Sequence, residues 1–134
     1  MTKCILVVDD DGDVRELLCQ MLEQQGYMAV PAASGRQALE RLEVLTPDLV
    51  ITDVVMPEGD GFEVLLKLRL LAPRAGALVM SGGGRMAPDI YLETAKQLGA
   101  SAVLRKPFTR AEMLDAVRLA LIPQTLSPQP LQER

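Results

Sequence analysis

Acidic side chains follow two apolar runs whose composition is typical of strands buried on both faces. Asp9, Asp10 and Asp11 come directly after an N-terminal run, and Asp53 ends a second run near the middle of the chain. If these runs are neighbouring parallel strands, their carboxyl ends lie at the edge of the sheet where α/β proteins hold ligands. Carboxylates this close repel one another, and a divalent cation removes the conflict. A few carboxylate ligands with open positions suit Mg²⁺, which keeps several waters and binds phosphate oxygens.

Two further polar side chains end later apolar runs and so belong to the same edge. A lysine at a strand end is usually a solvated charge, but at the same edge as three carboxylates Lys106 can be a fixed counter-charge and a phosphate ligand. Ser81 has two open roles, because its hydroxyl either donates to a phosphate oxygen or caps the turn that follows. Asp11 is better explained as a helix N-cap, since a helix start follows it at Gly12. The GGGR segment after Ser81 lacks GxxxxGK spacing, which argues against a nucleotide-binding P-loop.

Five apolar runs alternate with five segments of helical periodicity along the chain. The predicted strands are Cys4–Val8, Tyr27–Ala32, Leu49–Asp53, Ala77–Met80 and Ser101–Arg105. The predicted helices begin after Asp11, at Ser34, near Phe62, near Ala87 and after Thr109. The apolar face predicted for the first helix includes Leu17, and that of the third helix includes Leu66 and Leu70. Strict alternation of short units predicts an α/β fold, a doubly wound parallel sheet in the flavodoxin-like order 2-1-3-4-5.

The length and composition of the chain are those of one domain. It has 134 residues, of which 49% are hydrophobic, and its net charge of −4 argues against a general nucleic-acid surface. We predict a domain over residues 1–122 and a flexible, proline-rich tail over residues 123–134. No apolar run approaches the roughly 18 residues of a membrane-spanning helix, and the N-terminus does not have the pattern of a signal peptide. A cytoplasmic location is therefore expected.

The chain contains two cysteines, Cys4 and Cys19, and no histidine. A structural zinc site is therefore disfavoured, and catalysis by a Ser-His or Cys-His pair is excluded. Both cysteines lie in apolar segments. We expect them to be reduced and to lie in or near the core.

Four short motifs in this order resemble the response-regulator receiver domain of two-component signalling: VVDDD, TDVVMPEGDG, MSGGG and RKPF. The resemblance covers roughly residues 3 to 122, and it implies the same flavodoxin-like (βα)5 fold. It implies that Asp53 is the phosphoacceptor and that Mg²⁺ is held by Asp9, Asp10, Asp53 and the backbone carbonyl of Val55. In such domains a switch hydroxyl and a lysine bind the phosphoryl group, and the matching residues here are Ser81 and Lys106. The resemblance also implies a cis peptide bond between Lys106 and Pro107.

The resemblance further implies what the protein does. Asp53 would take a phosphoryl group from a sensor histidine kinase, a histidine phosphotransfer protein or a small acyl phosphate. The chain would not be an enzyme for outside substrates and would catalyse only its own phosphorylation and dephosphorylation. A downstream protein would bind the face formed by the fourth helix, the fifth strand and the fifth helix. The protein would be a stand-alone monomer or weak dimer, since no output domain fits after residue 122.

Two positions depart from the family pattern. Val103 stands where the family usually has Tyr or Phe, and Gly82, Gly83 and Gly84 follow Ser81 where alanine commonly follows the hydroxyl. Glycine makes a loop costly to order. We therefore expect a switch carried by loop ordering more than by rotation of an aromatic ring.

Other functions compete with that of a phosphoacceptor switch. The chain could be a receiver-like scaffold that binds proteins without taking phosphate, or a phosphate sink or shuttle. A flavodoxin-type FMN carrier is disfavoured because acids follow the first strand and only 3% of residues are aromatic. A metal-dependent phosphatase for outside substrates has no support in the sequence.

Overall fold

The computed structural model describes residues 2–53, 61–81, 93, 96–97 and 99–122. Its elements are β1 (Cys4–Val8), α1 (Gly12–Gln24), β2 (Met28–Ala32), α2 (Gly35–Leu42), β3 (Leu49–Asp53), α3 (Gly61–Leu71), β4 (Gly76–Ser81), β5 (Ala102–Arg105) and α4 (Arg110–Ala120). The helix α4 is the fifth helix of the prediction. Of the helix predicted near Ala87, the residues Glu93, Lys96 and Gln97 are described and helical. The other residues of that helix, Val55, the glycines 82–84 and the tail 123–134 lie outside the described residues.

The five strands form one parallel sheet in the order β2-β1-β3-β4-β5, which confirms the predicted topology. The central strands are apolar on both faces, so the sheet must be covered on both sides. In the pairing of β1 with β3, Val8 lies opposite Thr52. The next residues, Asp9 and Asp53, therefore lie at the same level of the sheet, and Asp53 still pairs with Met80 of β4.

Side-chain alternation divides the core into two layers. Leu6 and Val8 of β1 pack in the layer that contains residues of α2 and α3, whereas Ile5 and Val7 pack in the layer that contains residues of α1 and α4. The two layers thus cover the sheet on both faces. No helix in the described ranges is both long and apolar enough to cross a membrane.

Helix caps lie where the sequence predicts them. Asp11 is the N-cap of α1 and accepts hydrogen bonds from the amides of Asp13 and Val14. Ser34 caps α2, and Thr109 caps α4 in a capping box with Glu112. The helix α2 ends at Leu42, and the amides of residues 43–45 bond back to the carbonyls of residues 40 and 41.

Three leucines predicted at apolar helix positions are exposed. Leu17 of α1 is 55% exposed, and Leu66 and Leu70 of α3 are 51% and 79% exposed. Leu17 and Leu66 lie beside the buried leucines Leu18 and Leu65, and neighbouring helical residues point about 100° apart. The apolar stripe that faces the sheet is therefore narrower than the periodicity predicts. Its buried members are Leu18, Met21 and Leu22 on α1 and Val64, Leu65 and Leu68 on α3.

Candidate functional site

Four strands deliver polar side chains to one edge of the sheet. Asp9 follows β1, Asp53 ends β3, Ser81 ends β4 and Lys106 follows β5. Because all strands are parallel, these positions share the carboxyl edge where ligands bind in open α/β sheets. Asp9, Asp53 and Ser81 are buried, which is unusual for side chains of these types. The structure thus assembles from distant segments the polar group that the sequence predicts.

Three carboxylates form the centre of this edge. Asp9, Asp10 and Asp53 each contribute one oxygen, and these oxygens lie within 4.8 Å of one another. Asp9 and Asp53 are buried, and Asp10 is exposed at the surface of the cluster. Buried carboxylates at this spacing repel one another, and positive charge nearby relieves the repulsion.

Lys106 supplies part of that charge. Its Nζ donates a hydrogen bond to Asp53 Oδ2 at 2.8 Å and another to Asp9 Oδ2 at 3.1 Å. Burial alone would lower the pKa of the Lys106 ammonium, but hydrogen bonds and charge from Asp53 and Asp9 outweigh burial and raise the pKa. Lys106 therefore stays charged while it bridges the ends of β1 and β3.

Asp9 is held at each of its polar groups. Its Oδ1 accepts a hydrogen bond from the Asp11 amide at 2.9 Å, and its Oδ2 accepts from Lys106. Its own amide donates to the Ala32 carbonyl, and its carbonyl accepts from Arg15. Asp9 is thus a fixed, fully buried part of the site, and a solvated surface acid would have none of these contacts.

The cluster has the composition of a divalent-cation site. Three carboxylates and one ammonium leave a net charge of −2, and every candidate ligand atom is an oxygen. Asp10 is exposed and receives no hydrogen bond from any residue in the described part of the chain. Hard oxygen ligands with an open side facing solvent fit Mg²⁺. Asp9, Asp10 and Asp53 therefore suit the predicted metal.

Residues 5–118 match the family model of the response regulator receiver domain. The chain belongs to that family. It is 36% identical over 118 residues to sporulation initiation phosphotransferase F of Bacillus subtilis (strain 168), a match that covers 88% of this chain and 93% of the relative. It is 33% identical over 118 residues to the chemotaxis protein CheY of Thermotoga maritima, covering 87% of this chain and 96% of the relative. Receiver domains of this kind are signalling switches.

Solved structures agree with this family. A CheY-like response regulator receiver domain protein from Methanospirillum hungatei JF-1 superposes with a TM-score of 0.81 at 27% identity, covering 90% of this chain and 94% of that chain. A putative response regulator from Chloroflexus aurantiacus J-10-fl gives a TM-score of 0.80 at 32% identity, with 90% and 98% covered. The flavodoxin-like fold of the receiver domain is thus shown by both sequence and structure.

The ends of β4 and β5 lie beside the acid cluster in this receiver domain. The Lys106–Pro107 peptide bond is cis, as predicted. The Lys106 amide donates to the Ser81 carbonyl at 2.8 Å, so the ends of β4 and β5 are joined where the two side chains emerge. Val103 is partly buried and packs in the layer that contains α2 and α3 residues. Val55 and the loop of three glycines lie outside the described residues.

Two features near the site carried no signal in the sequence. One is the contact of Arg15 with the Asp9 carbonyl. The other is an open apolar groove of about 290 Å³ beside Lys106, lined by Val14, Leu17, Leu18, Met21, Lys106, Pro107 and Phe108. A larger cleft of about 400 Å³ lies at the opposite edge of the sheet, near Lys3, Asp48 and Arg74, and contains none of the predicted site residues. The groove, by contrast, shares Lys106 with the acid cluster.

Proposed function

We propose that this receiver domain is a phosphoacceptor switch that takes a phosphoryl group onto Asp53 with Mg²⁺. The observation that carries the proposal is the position of Lys106, whose Nζ bonds to Asp53 and Asp9 at once within a buried acid cluster. An ammonium beside the proposed nucleophile is also beside the phosphoryl group that the nucleophile attacks. It is therefore placed to stabilise the charge of the transferring group.

The proposed reaction needs few protein groups. A carboxylate oxygen of Asp53 attacks phosphorus, the bond from phosphorus to the donor's imidazole nitrogen or acyl oxygen breaks, and the donor leaves as histidine or carboxylate. Bound Mg²⁺, held by Asp9, Asp10, Asp53 and the Val55 carbonyl, would neutralise charge on the phosphoryl oxygens. Lys106 contributes the neighbouring fixed charge. The acids and the lysine position the group, and no outside substrate is turned over.

The switch acts through groups attached to the same edge. Ser81, at the end of β4, is buried and its carbonyl is bonded to the Lys106 amide. A phosphoryl group on Asp53 gives both side chains a new acceptor. We propose that they move toward it and shift the population of conformations at β5, α4 and the predicted fourth helix, where a downstream protein binds. The protein would act in the cytoplasm as a monomer or weak dimer.

The direct test uses a small acyl phosphate in place of a kinase. Incubation of the protein with acetyl phosphate and Mg²⁺ is expected to add one phosphate, detected by intact mass. Chelation of the cation with EDTA should prevent the addition. A protein that stays unmodified under both conditions would contradict the proposal and would favour the alternative of a scaffold that is never phosphorylated. Transfer of the phosphate onward to a second histidine protein would indicate a shuttle.

The apolar groove beside Lys106 suits a protein donor. The groove exposes apolar surface, and one of its lining residues, Lys106, also belongs to the acid cluster. Leu17 is 55% exposed in that groove. A phosphohistidine protein that covers Leu17 and Phe108 would lie beside the carboxylate that receives its phosphate. We propose this groove as the donor-binding surface.

Replacing Leu17 by serine is expected to separate the two kinds of donor. Loss of a buried leucine contact costs about 1.5 kcal/mol, or roughly tenfold in kcat/KM, for phosphotransfer from a histidine kinase that phosphorylates the wild type. Phosphorylation by acetyl phosphate should be unchanged, because the small donor needs no groove. Leu66→Ser is the matched control, since Leu66 is 51% exposed on α3, in the other layer. Equal loss in both variants would contradict the groove as the donor surface.

A further inference from the structure

Arg15 lies over the turn that joins β1 to α1. Its Nη1 donates a hydrogen bond to the Asp9 carbonyl at 2.7 Å, and the side chain is partly buried. A Cβ on Gly12 would lie 3.5 Å from Arg15 Nη2, so the guanidinium also packs close to the backbone at the start of α1. A long, flexible side chain is thus folded back onto the segment that carries two of the three clustered acids.

The Asp9 carbonyl is part of the peptide plane that leads into Asp10. Because the peptide group is planar, holding that oxygen fixes the orientation of the Asp10 amide. Asp10 itself is exposed and receives no hydrogen bond from the rest of the described chain. The direction of its side chain therefore depends on its backbone, and the backbone is held on one side by Arg15.

We infer that Arg15 is a positioning residue for the cation site, which it serves by fixing the Asp9–Asp10 peptide. The inference rests on the proposed binding of Mg²⁺ at the acid cluster. Ligands held in place by outer contacts need no reordering when a metal binds, and loss of such contacts weakens metal affinity.

The charge of Arg15 and its positioning contact predict opposite changes in Mg²⁺ affinity when Arg15 is removed. A guanidinium bonded to the backbone of the segment that carries Asp9 and Asp10 repels an incoming cation, so its removal by itself would tighten Mg²⁺ binding. If Arg15 acts by positioning, its removal weakens binding in spite of the lost repulsion. The sign of the change therefore decides between the two.

The experiment titrates Mg²⁺ alone into wild-type, Arg15→Ala and Arg15→Lys protein and follows backbone amide resonances by NMR. We expect Arg15→Ala to weaken Mg²⁺ binding about tenfold, the low end for a contact outside the metal ligands. Arg15→Lys keeps the charge and one donor, so it should recover part of the loss. Binding by Arg15→Ala that equals or exceeds that of the wild type would overturn the inference.

Arg41→Ala is the matched control. Arg41 Nε donates to the Pro31 carbonyl at 3.1 Å, a contact of the same kind on the neighbouring strand β2, and its loss changes the net charge equally. Arg41→Ala should leave Mg²⁺ affinity unchanged. Equal weakening in the two variants would contradict a specific role for Arg15.

A second measurement in metal-free protein separates this inference from the proposed function. The Asp11 amide bonds to Asp9 Oδ1, so loosening of the turn should speed its hydrogen exchange in Arg15→Ala and leave the strand amides of β1 unchanged. Unchanged exchange at Asp11 would overturn the positioning role. If wild-type protein fails to bind Mg²⁺, the proposed function fails, and the exchange at Asp11 still decides whether Arg15 holds the turn.

Discussion

Replacing Asp53 by alanine is expected to abolish phosphorylation by acetyl phosphate and Mg²⁺. The variant has no oxygen at the position that Lys106 Nζ approaches to 2.8 Å, so no nucleophile faces the donor. Removal of a nucleophile typically lowers a rate by more than about 10³-fold. Intact mass measured over time should therefore show no added phosphate in the variant under conditions that modify the wild type fully.

Asp13→Ala is the control for the loss of one acid near the site. Asp13 lies in the first turn of α1, outside the acid cluster, and should leave phosphorylation unchanged. The Asp53 variant should also remain folded, because Lys106 keeps its bond to Asp9 and one source of repulsion is gone. Addition of one phosphate to Asp53→Ala would contradict the assignment of the phosphoacceptor.

Replacing Lys106 by methionine is expected to lower both stability and phosphorylation. The change leaves Asp9, which is fully buried, and Asp53 without their shared ammonium. Removing one member of a buried ion pair is strongly destabilising, and we expect about 2 kcal/mol here because the Lys106 side chain is 23% exposed. Urea unfolding without Mg²⁺ measures this loss. The phosphorylation rate should fall roughly a hundredfold, as when one charge-stabilising donor is removed.

The dependence of the lost stability on pH and on Mg²⁺ identifies the cause of the loss. The pKa of Lys106 is raised in the folded protein, so its contribution is complete below the ordinary lysine pKa of about 10.4 and is lost as the pH rises through the folded value. The wild type and the variant should therefore differ throughout the neutral range and converge only in strong base. Mg²⁺ should narrow the difference at pH 7, because it supplies charge to the same carboxylates.

Lys67→Met serves as the control for loss of a lysine. Lys67 lies on α3 and has no ion pair among the residues that the structure describes. Its variant should match the wild type in stability and in phosphorylation. If Lys106→Met without Mg²⁺ is as stable as Lys67→Met, the ammonium does not balance the buried carboxylates.

Much of the fold could be predicted because the strands are buried on both faces. Such strands appear in the sequence as continuous apolar runs, and β1 begins at Cys4 and ends at Val8 as predicted. The abrupt change from Val8 to three acids marks the edge of the sheet equally well. The prediction that Asp9, Asp53, Ser81 and Lys106 share one edge followed from the strand order, and the structure places all four there.

The orientation of each helix could not be predicted to the same degree. Leu17 and Leu18 are both apolar, and only packing against the sheet decides that Leu18 is buried while Leu17 is exposed. The contact of Arg15 with the Asp9 carbonyl left no trace in the sequence either. Any arginine in the first turns of a helix looks the same in the sequence. Every residue has a backbone carbonyl, so the sequence does not indicate which carbonyl accepts the hydrogen bond.

The bond between Lys106 and Asp9 joins residues 97 positions apart in the chain. The strand β5, which precedes this lysine, pairs only with β4 at the edge of the sheet. A nascent or truncated chain that stops before residue 106 therefore contains all three acids and no ammonium to hold two of them together. The cluster of acids and lysine is therefore completed only after β5 has been made and has paired with β4.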